Sequence, residues 1–153
     1  MTEIHNLSAI DLSQKLRSRE ISAIEVMQAT LARIHDVNPK VNAIIALADT
    51  QHLIEQAKAA DQAKTCGVLH GIPFAVKDLT DVVGLPTSKG SPLFAGTIPA
   101  ADGLMVTRLR NSGAIFIGKT NTPEFGLGSH TFNPVFGTTK NPYNTLVSAG
   151  GSS

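Results

Sequence analysis

Lys77 and Ser152 are the residues whose types and settings can do chemistry. Lys77 closes a short apolar run, Gly71-Ile72-Pro73-Phe74-Ala75-Val76-Lys77-Asp78, and Ser152 lies in Ser148-Ala149-Gly150-Gly151-Ser152-Ser153. An exposed lysine titrates at about 10.4 and is no base at neutral pH. At the end of a buried strand the charged form loses solvation, and a neutral amine can accept a proton from a nearby hydroxyl. Asp78 follows directly, but strand alternation turns it to the opposite side. Glycines beside Ser152 give the backbone unusual freedom, and their amides can form an anion-binding nest. Each motif also has a plainer reading. A lysine at a strand end can simply snorkel to water, and Gly-Gly-Ser-Ser is also the composition of an unstructured tail. The local pattern leaves both alternatives open.

The elements that must position these residues divide the chain into a helical part, 1–66, and an α/β part, 67–153. Ser8-Ala9-Ile10-Asp11 and Ser22-Ala23-Ile24-Glu25 both read as capping boxes, flanked by the staple pairs Leu7/Leu12 and Ile21/Val26. In the second helix Ile24, Met27, Leu31 and Ile34 form one apolar stripe. Asn38-Pro39 predicts its end near Val37, giving a helical hairpin. Residues 41–48 are expected to be extended. Thr50 is expected to cap a third helix reaching towards Lys64, with Leu53, Ala57 and Ala60 on one side; Cys66-Gly67 breaks the pattern.

Phe74-Ala75-Val76 and Ala114-Ile115-Phe116-Ile117 read as strands buried on both faces. Between them lie a long Gly/Pro/Ser-rich loop, from Asp81 to Ala101, and a helix that Asp102 is placed to cap and Gly113 to end. Strand, crossover helix and strand predict the start of a mostly parallel α/β sheet flanked by helices. Beyond Lys119 turn residues dominate.

Composition excludes more than it selects. The chain has 153 residues, 42% of them apolar, and a net charge of +1. That suits one packed domain and gives no electrostatic case for nucleic acid or an anionic membrane. One Tyr, no Trp and six Phe offer few platforms for stacking bases. Cys66 is the sole cysteine, so no internal disulfide forms, and with no apolar leader a cytoplasmic location is expected. The histidines are scattered without metal spacing. Residues 113–120, Gly-Ala-Ile-Phe-Ile-Gly-Lys-Thr, match the phosphate-loop pattern by letter. The context is inverted, because the four middle residues favour a strand and Pro123 follows where a helix should start.

Taken together, the motifs resemble the amidase signature family. The resemblance is dense in 71–78, in Gly118-Lys119-Thr120-Asn121-Thr122-Pro123-Glu124-Phe125-Gly126, in Asn133-Pro134-Val135-Phe136-Gly137, in Asn141-Pro142 and in 150–153. It implies a Ser-cisSer-Lys triad without metal or organic cofactor, with Lys77 as the base and Ser152 as the bridging serine after a cis peptide bond. It also implies substrate contacts from Gly126, Leu127, Gly128 and Ser153, and a small-molecule amide as substrate. The nucleophilic serine and the oxyanion-hole glycines belong downstream of Ser153. The expectation is therefore an N-terminal fragment of a single amidase domain, inactive alone, with homodimerisation possible at full length. The loop 123–133 looks more like stand-alone amidases than like the amidase subunit of a tRNA-dependent amidotransferase, the rival within the family. Outside it stand a G-x-S-x-G elbow with Ser152 as nucleophile, for which no preceding strand is evident, and a non-catalytic remnant.

Overall fold

Local capping signals set the first three helices. The structure, a computed structural model, describes residues 3–64 and 67–151. In α1 (Ala9–Arg17) the Asp11 amide donates to Ser8 Oγ at 3.1 Å. The reciprocal arm expected from Asp11 does not reach the backbone. Its carboxylate, one carbon shorter than that of Glu, accepts from the Ser8 hydroxyl at 2.6 Å instead. In α2 (Ala23–Val41) the box is complete, with Glu25 N donating to Ser22 Oγ and Ser22 N donating to Glu25 Oε2. Those Ser22 donors hold the Glu25 carboxyl below its usual range, the hydroxyl first. Asp61 from the third helix adds to this cap, accepting from Ala23 N at 2.6 Å and Ile24 N at 3.2 Å, an anion on the positive end of the helix dipole.

α2 runs on past the expected stop at Val37, with Pro39 inside it. The proline lies in the last turn, where its missing N–H removes a single helix bond, and Asn38 closes the helix end beyond it. The Asn38 carbonyl accepts from Asn42 N at 2.7 Å, its Oδ1 accepts from Ala43 N and Ile44 N at 2.8 Å, and Asn42 turns left-handed at φ 54°. In α3 (Thr50–Gln62) the cap is Asp49, whose Oδ1 accepts from His52 N at 2.8 Å, and not Thr50, which is the first helical residue.

The sheet has three strands, β1 (Ile44–Leu47), β2 (Pro73–Lys77) and β3 (Ile115–Thr120), in the order β1-β3-β2. β2 and β3 are parallel, joined through the long loop and α4 (Leu104–Asn111), whereas β1 is antiparallel to β3. The α/β class stands, with a mixed sheet. One apolar cluster, including Val26, Met27, Leu53, Ala57, Ile72, Ile115 and Ile117, lies under α1 to α3. The other, Val76, Val82, Leu85, Val106 and Phe116, lies under α4 and the loop.

A bulge decides which face receives Lys119. Phe74 pairs with Phe116 and Ala75 with Gly118, so Ile117 has no partner on β2. In a regular strand Lys119 would share the face of Ile115 and Ile117. The extra residue flips the parity, and Lys119 pairs with Val76. Gly118 makes this possible, since a Cβ there would overlap the Ala46 carbonyl oxygen of β1. Gly118→Ala is therefore expected to lower the thermal midpoint, at a cost of about 1–3 kcal/mol from overpacking.

Asp102 does not cap α4. The cap position is Gly103, and no side chain bonds there. The Asp102 carboxylate instead accepts from Arg110 Nε at 2.8 Å and from Val83 N at 2.7 Å. The Arg110 hydrogen bond holds the Asp102 carboxyl below the ordinary carboxylate range. A depressed carboxyl pKa contributes stability that is complete above the unfolded value and is lost as pH falls through the folded one. Asp102→Asn should flatten that acid-side loss in melts taken between neutral pH and about pH 2.

Candidate active site

Lys77 is the last residue of β2 and is half-buried. Its carbonyl accepts from Thr80 N at 3.1 Å, turning the chain immediately after it. Asp78 continues the ladder through its amide, which donates to Thr120 O at 3.0 Å. Its carboxylate is buried, accepting from Ser88 Oγ at 2.6 Å, Ser88 N at 3.1 Å and Gly90 N at 3.4 Å.

Against this carboxylate lies Lys119, which has no solvent exposure. Its Nζ donates to Thr80 O at 2.5 Å and Thr87 Oγ1 at 2.8 Å, and lies 3.5 Å from Asp78 Oδ1. Burial pushes this amine below the ordinary lysine value, and the Asp78 carboxylate opposes the shift. Sequence reasoning did not single out Lys119, a charged residue at the end of the apolar run 115–117, because its burial follows from the unpaired Ile117 two positions before it. Residues 115–120 are strand throughout and Gly113 follows α4, so the letter match to a phosphate loop has no loop.

Two further segments pack against the end of β2. Lys89 N donates to Asp78 O at 3.0 Å, and Phe125 N donates to Lys89 O at 2.8 Å. A Cβ on Gly126 (φ 75°) would lie 2.7 Å from Leu79 Cδ1, so this glycine permits the loop to sit on the residue two beyond Lys77. Phe125 is itself left-handed at φ 53°, and its ring meets Phe94 edge-on at 6.1 Å. Leu127 is 81% exposed. Leu127 and Gly128 line a cleft of about 430 Å³ with Pro123, Glu124, Ser129, His130, Phe132, Asn133 and Pro134.

The turn-rich tail is more ordered than its composition suggests. β4 (Phe132–Asn133) pairs with β5 (Gly137–Thr138), and β6 (Lys140–Asn141) with β7 (Asn144–Ser148). Buried asparagines carry this organisation. Asn133 Nδ2 donates to Asn121 Oδ1 and Thr122 O, and Asn121 Nδ2 donates to Gly137 O and Thr139 Oγ1. Thr131 N donates to Ala149 O, His130 pairs with Gly150, and Gly151 N donates to Ser129 O at 3.0 Å. Gly151 is thereby fastened beside the cleft-lining segment.

Of the expected site residues, Gly126 packs on Leu79, two residues beyond Lys77, and Leu127 and Gly128 border a cleft next to it in the chain. Ser152 and Ser153, with the peptide bond expected to be cis, lie outside the described residues, as does Cys66. A strand, β7, does precede Gly150-Gly151, contrary to the expectation from sequence. It belongs to a largely exposed two-stranded hairpin, not to the buried sheet that a nucleophile elbow requires. Among the described residues no helix is long and apolar enough to cross a membrane, and no group of three His, Cys, Asp or Glu is placed to hold a metal.

The amidase family profile matches residues 25–153, and the chain belongs to the amidase signature family. It is 40% identical to an acylamidase of Rhodococcus erythropolis, covering 100% of this chain and 33% of the relative. It is 37% identical to a glutamyl-tRNA(Gln) amidotransferase subunit of Streptomyces coelicolor, covering 99% of this chain and 31% of that one. The solved structure of a bacterial aryl acylamidase superposes with a TM-score of 0.90 at 29% identity, covering 99% of this chain and 32% of the other. The chain thus spans about a third of the length of the relatives it matches.

Proposed function

We propose that these residues form the base-bearing part of an amide hydrolase that uses a Ser-cisSer-Lys triad. What supports this most is the packing after β2: Lys77 ends that strand, Gly126 rests on Leu79 two residues beyond it, and the loop that carries Gly126 runs on to Ser129, to which Gly151 is tied. In the reaction, the hydroxyl of a serine downstream of residue 153 attacks the amide carbonyl carbon. Its proton passes to Ser152, whose own proton passes to the neutral Lys77 amine. Lys77 returns the proton to the leaving nitrogen as the C–N bond breaks, giving an ester and ammonia or an amine. Water then releases the acid by the same relay. Gly126, Leu127, Gly128 and Ser153 are proposed to contact the substrate. The apolar side chains of Leu127, Phe132 and Pro134 along the cleft suit an uncharged acyl group.

Similarity to the glutamyl-tRNA(Gln) amidotransferase supports a second reading, in which the ammonia is passed to a misacylated tRNA. One experiment separates the two. The complete reading frame that carries these residues is expressed and offered primary amides and anilides alone, then glutamine with ATP, misacylated tRNA and partner subunits. Turnover of simple amides without partners is expected; turnover only in the second mixture would favour the amidotransferase. The 153 residues expressed alone are expected to give no turnover, because the proposed nucleophile is not among them.

A further inference from the structure

Lys119 has no step in that scheme, yet its ammonium is completely buried. Burying a charged amine costs several kcal/mol unless its donors and its charge are matched. Here all three donors have acceptors nearby: Thr80 O, Thr87 Oγ1 and Asp78 Oδ1. Asp78 is the residue next to Lys77, about 3.8 Å away along the chain from Cα to Cα. A buried carboxylate that close, left unbalanced, would favour a protonated Lys77 and oppose its work as a base.

We propose that Lys119 is a positioning residue for Lys77: it balances the Asp78 carboxylate and keeps it committed to the 80–90 loop, away from the neighbouring amine. This rests on the assignment of Lys77 as the base. The compensation does not depend on where the proton sits, since ammonium with carboxylate and amine with carboxylic acid both sum to zero. The binding partners of Asp78 agree, because Ser88 and Gly90 of the loop donate to its oxygens. The other charged groups nearby have their own engagements. Asp81 of the loop adds to the field at Lys119. The Lys89 ammonium lies 5.1 Å over the Phe94 ring. Asp102 is paired with Arg110, whose guanidinium lies 4.9 Å from the Phe116 ring centre. Glu124 is exposed, and β1 carries no titratable side chain.

The test is the pH profile of kcat/KM for the complete protein and three variants, each first checked for cooperative unfolding. In Lys119→Met the uncompensated carboxylate should move the acidic limb to higher pH, by about one pH unit or more. In Asp78→Asn the uncompensated ammonium should move it the other way. In the double variant the limb should return towards wild type. If Lys119→Met does not fold, the opposite sign in Asp78→Asn carries the test. A limb unmoved in the folded single variants, with only the plateau or the stability reduced, would overturn the proposal. Lys77→Met keeps the two assignments apart. If that variant is active, the base itself is misassigned; if it is inactive and the limb is unmoved, only the role of Lys119 fails.

Discussion

Lys77→Met in the complete protein should lower kcat/KM by at least about 10³-fold while leaving the thermal midpoint close to wild type. The size follows from the role. A base proposed to take the nucleophile's proton through Ser152 and return it to the leaving nitrogen would act in every step, and the charged neighbours among the described residues are engaged elsewhere. Asp78 is bonded to Ser88 and Gly90 and paired with Lys119, and Lys119 is donating to Thr80 and Thr87. Stability should change little because Lys77 is only half-buried and Met keeps the length and the apolar stem. The measurement is ammonia or amine release under subsaturating amide. His130→Ala is the matched control, since the Nδ1 of His130 lies 3.2 Å from Ser148 Oγ and His130 pairs with Gly150. An elbow using Ser152 as nucleophile and a histidine as base predicts the reverse pattern, with His130→Ala severe and Lys77→Met mild.

How much of this was legible in the sequence follows from how far each signal reaches along the chain. Capping boxes are local, so the start of α2 was readable to the residue. Helix ends are less local. Pro39 signals a stop, but the Asn38 side chain overrides it through contacts that only the folded turn supplies. The strand that Lys77 ends was legible because its apolar run is a sequence feature. The burial of Lys119 was not, because the face it takes depends on a bulge set by pairing between strands far apart in the chain, Ala75 with Gly118. The hairpins after β3 were hidden for a similar reason. β4, β5 and β6, of two residues each, carry no readable alternation, and the asparagine bonds that shape this region join residues such as Asn42 and Phe136, distant in sequence.

Those asparagines give the second large expectation. Asn133→Ala should destabilise the protein by about 3 kcal/mol or more and raise KM for amides. The side chain is 5% exposed and uses both ends. Nδ2 donates to Asn121 Oδ1 at 2.6 Å and Thr122 O at 2.7 Å, and Oδ1 accepts from Val135 N at 2.9 Å and Phe136 N at 2.8 Å. Each buried group left without a partner costs about 1–3 kcal/mol. Asn121 Oδ1 keeps the Thr122 amide at 3.0 Å, which limits the loss on that side. Asn133 also lines the cleft beside Pro134 and Phe132, so the wall proposed to face substrate should loosen with it. Asn133→Asp divides the effect. It retains acceptors for the two amides of the 134–136 turn but sets an anionic oxygen where two carbonyl oxygens now receive N–H groups. The repulsion should make Asp at least as damaging as Ala in denaturant midpoint. An Asp variant close to wild type would locate the stabilisation in the turn alone and remove the bonds to Asn121 and Thr122 from the account.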